Sequence, residues 1–272
     1  MFAQGLPVPA NRDAAARMSA AIEKAGVLPA ITAVVRGTPT VGLAADELER
    51  FLARDGVRKV SARDLPVAVA TRVDGATTVA ASLVLARGVG IEVFATGGIG
   101  GVHRDAPHDE SADLHELART PMIVVCAGAK SILDLRATWE RLETLGVPVV
   151  GYRTNQFPGF LTADTGIPLD TTADSIDDIV AIYRAQWELA RPQAVLVVQP
   201  PPAEHAMAAH RVEAAVADAQ KELSRKRIKG PATTPFLLDA IARLTGGSSL
   251  EANVALLEAN ARLAGEIAAA LG

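Results

Sequence analysis

Residues 122–134 read MIVVCAGAKSILD, an apolar run that ends in a glycine turn followed by a lysine. A short run that is apolar at nearly every position is typical of a strand buried on both faces of a parallel sheet. We predict a strand over residues 122–126 and a helix over residues 131–145. Lys130 then lies just beyond the carboxyl end of the strand, where parallel α/β sheets bind their ligands.

The alternation of strands and helices continues on both sides of this segment. A hairpin is predicted over residues 31–43, and further strands are predicted at residues 91–95, 148–152 and 194–199. Further helices are predicted at residues 77–87, 111–119, 175–189, 206–227, 234–244 and 248–271. This βαβα rhythm predicts an α/β fold, a three-layer α/β/α arrangement with a largely parallel, mixed central sheet, in a single domain over residues 1–272.

Capping patterns predict where several helices begin. Asn11 is predicted to cap a helix over residues 14–25. Thr234–Pro235 supplies an N-cap and a first-turn proline. Ser248 and Glu251 have the spacing of a capping box.

The composition of the chain excludes several classes of protein. The 272 residues are 49% hydrophobic and 21% charged, which excludes an intrinsically disordered chain. The net charge of −4 argues against nucleic acid as a partner. Cys126 is the single cysteine, so an internal disulfide and a multi-cysteine metal site are excluded. The amino terminus has no secretory signal. The apolar runs are all much shorter than the roughly 18 residues that span a membrane. We therefore expect a cytoplasmic protein with no membrane partner.

Lys130 is a candidate nucleophile. Only six of the 27 lysine and arginine residues are lysines, so an isolated lysine at the end of an apolar strand is unusual in this chain. Burial and a helix N-terminus both disfavour an ammonium ion, and each lowers the pKa of a lysine. A neutral amine is a nucleophile and can form a Schiff base. The alternative interpretation is an exposed lysine at a strand–helix turn.

A glycine-rich loop, FATGGIGGVHR at residues 94–104, follows the predicted strand at residues 91–95. Glycines let backbone amides approach an anion closely. The spacing matches neither the dinucleotide-binding fingerprint nor the phosphate-binding loop of nucleoside triphosphatases. We predict a ligand loop of another kind, with Thr96 and His103 as substrate contacts, and the alternative interpretation is a plain tight turn.

An acidic loop, DAPHDESAD at residues 105–113, comes next. Oxygen ligands with few nitrogen ligands favour Mg²⁺ or Mn²⁺ over Zn²⁺. The alternative is a solvated loop in which Asp109 or Ser111 caps the following helix. The spacing leaves both interpretations open.

Two short polar segments that precede helices are candidate phosphate sites. They read KVSARD at residues 59–64 and GATT at residues 75–78, and they offer backbone amides, hydroxyls and cations. Asn253 and Asn260 lie on one stripe of an otherwise apolar helix. Because buried amides need hydrogen-bond partners, the two side chains line either a site or a core network.

These strings together resemble the pseudouridine-5′-phosphate glycosidases, also called the indigoidine synthase A-like family. The resemblance covers nearly the whole chain in order, and residues 94–104 and 124–134 are its most specific parts. The other matching strings lie at residues 59–65, 111–114, 146–152, 234–238 and 252–253.

The resemblance implies reversible cleavage of pseudouridine 5′-phosphate to uracil and ribose 5-phosphate, with Mn²⁺ or another divalent cation such as Mg²⁺ and a homotrimeric assembly. It implies that Lys130 attacks the anomeric carbon, opens the ribose and forms an iminium from which the uracil carbon departs. Asp109 matches the metal ligand of the family, and Asn253 resembles the residue that reads the base. The other matching substrate contacts are Lys59, Thr77, Thr78, Val79, Ser111, Ala112 and Asp113.

The chain departs from the family pattern at its amino terminus. Family members usually begin with a strand that carries a proton-donating Glu and ends in Ser-His-Gly, and Gln4 stands here at the position of the His. The matching Glu would precede Met1, so we expect either an earlier start codon or a chain without this acid and this strand. If the acid comes from elsewhere in the chain, Glu110 is the nearest candidate.

Two other functions remain open at this point. One is a non-catalytic sugar-phosphate-binding protein that has lost the general acid. The other is a Schiff-base lyase that acts on another phosphosugar. Release of uracil from pseudouridine 5′-phosphate would distinguish them from the glycosidase.

Overall fold

The computed structural model describes residues 2–104, 106–228 and 230–272. Its helices are α1 (Ala10–Glu23), α2 (Ala45–Ala53), α3 (Leu65–Ala70), α4 (Val79–Gly88), α5 (Ala112–Leu117), α6 (Leu135–Thr144), α7 (Ile176–Glu188), α8 (Ala209–Lys226), α9 (Thr233–Leu244) and α10 (Ser248–Leu271). Its strands are β1 (Thr32–Val35), β2 (Thr38–Val41), β3 (Arg58–Val60), β4 (Gly75–Thr77), β5 (Val93–Ala95), β6 (Val102–His103), β7 (Ala106–Glu110), β8 (Ile123–Cys126), β9 (Leu133–Asp134), β10 (Val149–Tyr152), β11 (Thr172–Ala173) and β12 (Val195–Val198).

The central sheet confirms the predicted α/β fold. Its strands lie in the order β11-β10-β12-β8-β5, and each neighbouring pair is parallel. The predicted strand over residues 122–126 is β8, and every residue of β8 and β12 is buried. Because successive side chains of a strand point to opposite faces, both faces of these two strands are covered.

Helices cover the two faces of the central sheet. On one face, Val125 and Val197 belong to the same apolar cluster as Leu263 of α10 and Ile179 of α7. On the other face, the alternate strand residues pack in a larger cluster together with apolar side chains from several helices, among them Leu83, Leu114, Leu142, Val216 and Leu237. The arrangement is the predicted three-layer α/β/α sandwich.

Two smaller sheets bring further polar segments beside the central one. The first has the order β2-β1-β4-β3, and the second, antiparallel sheet has the order β7-β6-β9. The predicted hairpin is β1–β2, but its turn is Arg36–Gly37, where both residues have positive φ. Pro39 therefore lies in β2, which is an edge strand and so tolerates a residue without an amide hydrogen.

The prediction that a helix begins at residue 131 is wrong. Leu133 and Asp134 pair with His103 and Val102 as strand β9. The helix α6 begins at Leu135, and the Asp134 side chain caps it by accepting a hydrogen bond from the amide of Ala137 at 2.9 Å. Lys130 therefore starts a tight turn, and the helix that follows it begins only at Leu135.

Three predicted helix starts are also wrong in detail. Asn11 lies inside α1 and is buried, and its Nδ2 donates to the carbonyl oxygens of Phe2 (3.1 Å) and Leu52 (2.8 Å) instead of capping. The helix α9 begins one residue before Thr234. The helix α10 begins at Ser248 itself, without a side-chain cap. By contrast, Ser175 and Asp178 form a complete capping box at the start of α7.

Among the residues that the structure describes, no helix combines the length and the apolar character that crossing a membrane requires.

Candidate active site

A cavity of about 690 Å³ opens at the carboxyl ends of β5 and β8. It brings together all but one of the site residues predicted from the sequence. Those that line it are Lys59, Thr77, Thr78, Val79, Thr96, His103, Asp109, Ser111, Asp113, Lys130 and Asn253. Ala112 is the exception, although it lies between two residues that do line the cavity. The cavity also extends along the outer edge of β5 towards α10.

Lys130 lies in the turn that follows β8, and its surroundings favour the neutral amine. Burial is the largest cause that lowers its pKa, and the positive charge of Lys59 lowers it further. The carboxylate of Asp113 opposes this shift. Since no helix begins at Lys130, desolvation and Lys59 account for the shift that the sequence assigned in part to a helix N-terminus.

The backbone around Lys130 is held against the glycine loop. Its amide donates to the carbonyl oxygen of Ile99 at 3.1 Å, and the amide of Ile99 donates to the carbonyl oxygen of Gly128 at 3.0 Å. Gly128 has φ +74°, and a Cβ atom there would overlap the carbonyl oxygen of Pro158. A glycine is therefore required two residues before the lysine.

Asp113 joins the glycine loop to the start of α4. It is 4% exposed. Its Oδ2 accepts a hydrogen bond from the amide of Gly100 at 2.8 Å, and its Oδ1 accepts one from the amide of Ala80 at 2.9 Å. Because its two oxygens accept hydrogen bonds from two different segments, this side chain holds the glycine loop and the start of α4 together.

The first turn of α4 has one amide left for a ligand. The amide of Ala80 donates to Asp113, and the amide of Ala81 donates to the Oγ1 of Thr78 at 3.4 Å. Among the described residues, the amide of Val79 has no acceptor. Because helix N-termini bind anions through such amides, Val79 is the best-placed backbone donor for a phosphate here.

The start of α5 is arranged in the same way. Ser111 caps the helix, since its Oγ accepts a hydrogen bond from the amide of Asp113 at 3.2 Å. The amide of Leu114 donates to the carbonyl oxygen of Ser111. The amide of Ala112 has no acceptor within the part of the chain that the structure describes. This amide lies between Ser111 and Asp113, which line the cavity, although Ala112 itself does not.

The acidic loop divides into side chains with different roles. Glu110 forms a two-point ion pair with Arg141 at 2.8 and 3.1 Å, and this pairing lowers the pKa of Glu110. A carboxylate held ionised in this way is a poor proton donor, so Glu110 does not fit the role of general acid. Asp109 is exposed, and its Oδ2 lies 4.0 Å from the Nδ1 of His103.

The residues described include no cluster of three or more His, Cys, Asp or Glu side chains that could hold a metal ion. Asp105 lies outside the described residues. Asp109 presents an exposed, hard carboxylate at the cavity. One carboxylate suits Mg²⁺ or Mn²⁺ in a site where most ligands are water, and it does not suit a tightly caged ion.

The two asparagines on the α10 stripe have separate roles. Asn253 lines the cavity. Asn260 is fully buried, and its Nδ2 donates to the carbonyl oxygens of Thr96 at 2.8 Å and Gly97 at 3.3 Å. Its Oδ1 accepts a hydrogen bond from Gln199 at 2.9 Å. The stripe therefore supplies both a site residue and a core network that supports the glycine loop.

The sequence as a whole matches known proteins along its entire length. The family model described as "Indigoidine synthase A like protein" matches residues 1–270. This chain belongs to the indigoidine synthase A-like family. A pseudouridine-5′-phosphate glycosidase from Gemmatimonas aurantiaca is 61% identical over 271 residues, which are 100% of this chain and 89% of that protein. One from Chloroflexus aurantiacus is 48% identical and matches 98% of this chain and 90% of that protein.

Solved structures of this family have the same fold. An indigoidine synthase A-like protein from Thermotoga maritima is 37% identical, with a TM-score of 0.93 over 99% of this chain and 90% of that chain. The prealnumycin C-glycosynthase AlnA, solved with ribulose 5-phosphate, is 41% identical, with a TM-score of 0.89 over 95% of this chain and 86% of that chain.

The cavity lining of this family member also includes residues that were not predicted from its sequence, among them Thr32, Ser82 and Phe160. Thr32 and Ser82 join Thr77 in a hydroxyl cluster, in which the Oγ1 of Thr77 donates to the carbonyl oxygen of Thr32 at 3.0 Å. Ser82 could have been identified from the sequence, because it is a polar residue inside an otherwise apolar helix. Phe160 has φ +65° and lines the cavity wall beside Gly98. Strained backbone of this kind concentrates at functional sites, but nothing in the sequence marks it.

Proposed function

We propose that this chain catalyses the reversible hydrolysis of pseudouridine 5′-phosphate to uracil and ribose 5-phosphate, with Lys130 as the nucleophile. One observation carries the proposal: a lysine with a lowered pKa shares a cavity with the Val79 amide, at a helix start suited to a phosphate. Relatives named pseudouridine-5′-phosphate glycosidases support the substrate. The C-glycosynthase that was solved with ribulose 5-phosphate supports a pentose phosphate at this cavity.

The first step joins the Nζ of Lys130 to the anomeric carbon C1′. The lone pair of the neutral amine attacks C1′, and the C1′–O4′ bond breaks with its electron pair going to O4′. O4′ takes up a proton and the nitrogen loses one, so the proton count is unchanged. Burial assists this step because it raises the fraction of Lys130 that is neutral at pH 7.

The second step breaks the carbon–carbon bond. The nitrogen lone pair forms a C1′=N double bond, while the electron pair of the C1′–C5 bond stays on the uracil ring and C5 takes up a proton. Carbon is a poor leaving group, and the nitrogen supplies the electrons that the departure requires. Water then adds to the iminium carbon and releases ribose 5-phosphate and the free amine of Lys130.

The remaining residues bind and orient the substrate in this proposal. The Val79 amide and Lys59 hold the phosphate, because a helix N-terminus and an ammonium ion both attract this anion. The Ala112 amide and His103 face the sugar. Asn253 reads the base through its side-chain amide, which offers both a donor and an acceptor to uracil.

We also propose that Mn²⁺ or Mg²⁺ binds at Asp109, largely through water. The exposed carboxylate leaves room for the water ligands that these ions retain. When bound, the ion supplies positive charge beside the substrate. His103, next to Asp109, orients the carboxylate. Asp113 contributes by holding the neighbouring backbone, since each of its carboxylate oxygens accepts a hydrogen bond from an amide.

The family resemblance supports two further parts of the proposal, a homotrimeric assembly and a cytoplasmic location. Size-exclusion chromatography with light scattering tests the assembly, and we expect three times the chain mass of 28.3 kDa. A monomeric or dimeric mass would contradict the trimer. Fractionation of cells that express the protein at native level tests the location.

Uracil release tests the function directly. The purified protein, with pseudouridine 5′-phosphate and Mn²⁺, is expected to release uracil that chromatography detects. Lys130→Met is expected to lower kcat by more than about 10⁴-fold, because the covalent route is lost. The matched control is Lys221→Met, which removes an exposed lysine on α8 that pairs with Asp218. Binding of ribose 5-phosphate without uracil release would instead favour a non-catalytic sugar-phosphate-binding protein.

A further inference from the structure

Arg104 connects the turn after Lys130 to a distant helix. Its Nη2 donates to the carbonyl oxygen of Ser131 at 2.9 Å, and its Nε donates to the carbonyl oxygen of Leu133 at 3.1 Å. The same guanidinium forms a two-point ion pair with Glu213 of α8, with distances of 2.7 and 2.8 Å. Neither Arg104 nor Glu213 lines the cavity.

The turn needs this support because no helix begins at Lys130. In a strand-to-helix turn, the helix itself would order the backbone that follows the strand. Here the chain instead turns at residues 131–132 and enters the short strand β9. Arg104 therefore supplies donors to carbonyl groups that a helix would have satisfied. Its neighbour His103 pairs with Leu133 across β6 and β9, so one guanidinium ties both segments together.

Glu213 determines where the guanidinium lies. A carboxylate that accepts two parallel hydrogen bonds fixes the plane of an arginine, which a single bond does not. The interaction is favourable at neutral pH, since Arg104 lowers the pKa of Glu213 and keeps it ionised. Glu213 lies 109 residues from Arg104 in sequence, and its side chain is 54% exposed. Because Glu213 does not line the cavity, it makes no direct contact with a ligand bound there.

We propose that Glu213 is a positioning residue for Lys130 and that it acts through Arg104. Removing the Glu213 carboxylate takes away the two parallel hydrogen bonds that fix the plane of the guanidinium, so its hold on the turn at residues 131–133 weakens and the Nζ of Lys130 is displaced. The inference rests on the proposed role of Lys130 as the nucleophile. A displacement of the order of 1 Å at a reacting group costs up to about 100-fold in rate, so a contact outside the cavity affects turnover.

The test compares two glutamates on the same helix. Glu213→Gln removes the charge that holds Arg104. Glu222→Gln is the matched control, because Glu222 also pairs with an arginine, Arg243, at 2.8 Å, and neither residue of that pair lines the cavity. We expect Glu213→Gln to lower kcat about tenfold with KM unchanged, and Glu222→Gln to leave both within about twofold. Equal kcat values for the two variants would overturn the proposal.

A double variant tests whether Glu213 acts through Arg104. Arg104→Lys keeps the charge but cannot donate to both carbonyl groups and the carboxylate in the same geometry. If the proposal is correct, adding Glu213→Gln to Arg104→Lys lowers kcat no further. Independent, multiplying losses in the double variant would overturn it.

A substrate-free measurement separates this inference from the proposed function. Reductive methylation with formaldehyde and cyanoborohydride, followed by peptide mass spectrometry, gives the labelling rate of Lys130 against pH. In Glu213→Gln we expect the pH of half-maximal labelling (the midpoint) to rise. The reason is that water reaches the loosened amine of Lys130, so desolvation lowers the pKa of this amine less. An unchanged midpoint would overturn the positioning role. A wild-type protein that releases no uracil would instead overturn the proposed function, and the midpoint would still test Glu213.

Discussion

Two walls of the cavity differ in how firmly they are held. The buried wall consists of residues 96–101 and 127–131, whose backbones exchange hydrogen bonds such as Lys130 N to Ile99 O at 3.1 Å. The open wall lies at Asp109, which lines the cavity with a side chain that is 71% exposed. The buried wall carries the amine, and the open wall carries the free carboxylate.

This difference matches two kinds of chemistry. A covalent step needs a desolvated nucleophile in a fixed position, which the buried wall provides. A cation that keeps most of its water needs an accessible carboxylate, which the open wall provides. Changes in the buried wall should therefore affect both stability and turnover, whereas changes in the open wall should affect the metal dependence alone.

The largest effect is expected at Gly128. In Gly128→Ala the new Cβ atom meets the Pro158 carbonyl, and the residue keeps a φ of +74°. We expect the free energy of unfolding to fall by roughly 3 kcal/mol and uracil release to be nearly lost. Denaturant unfolding and the uracil assay measure the two effects.

Gly166 allows the effect of backbone strain on stability to be measured without the steric overlap that occurs at Gly128. Gly166 has φ +68° and no heavy atom within 4 Å of a Cβ built there, so Gly166→Ala carries the strain alone. We expect it to cost about 1 kcal/mol and to leave turnover intact. An equal loss of stability in both variants would show that the contact with Pro158 is not what makes a glycine necessary.

A smaller effect is expected at Asp113. In Asp113→Asn one of the two acceptor oxygens becomes an amide that points its hydrogens at a backbone N–H group. We expect a loss of about 2 kcal/mol in unfolding free energy and roughly 10- to 100-fold in kcat, because the glycine loop and the start of α4 both shift. Asp134→Asn is the control, since an asparagine caps a helix as well as an aspartate. A stable Asp113→Asn protein with normal kcat would contradict the role given to this carboxylate.

The smallest effect on the fold is expected at the open wall. Asp109→Asn should leave the melting temperature unchanged, because the side chain is exposed. The concentration of Mn²⁺ that gives half-maximal activity should rise by about tenfold, since a neutral amide is a weaker ligand for a hard cation. The exposed Asp170, which does not line the cavity, supplies the control variant Asp170→Asn. Unchanged metal dependence in Asp109→Asn would argue against this site.

Much of the fold could be predicted because local patterns and the tertiary structure agree. The apolar run at residues 122–126 forms a strand buried on both faces, as its composition requires. The helix predicted over residues 131–145 begins four residues later, at Leu135. The reason is that Leu133 and Asp134 pair with β6, and this pairing overrides the helical preference of that stretch. Such pairing depends on a strand about 30 residues away, which periodicity does not reveal.

The site was predicted in a similar, partial way. Lys130 and Asp109 could be named as candidates from the sequence, because each has a reactive or ligating side chain in the loop that follows a predicted strand. The side chains of Val79 and Ala112 carry no signal of their own, so the sequence named these two residues only through the family resemblance, and the free amides appear only in the folded chain. The same holds for Glu213, whose relation to Lys130 exists only in the folded chain through Arg104.

Covalent trapping at Lys130 tests the central claim most directly. The protein is incubated with ribose 5-phosphate and borohydride at a series of pH values, and peptide mass spectrometry locates the adduct. We predict an adduct on Lys130 whose formation is half-maximal below the ordinary lysine pKa of about 10.4, because burial and Lys59 lower the pKa of this amine. An adduct on a different lysine, or none in a preparation that releases uracil, would contradict the account.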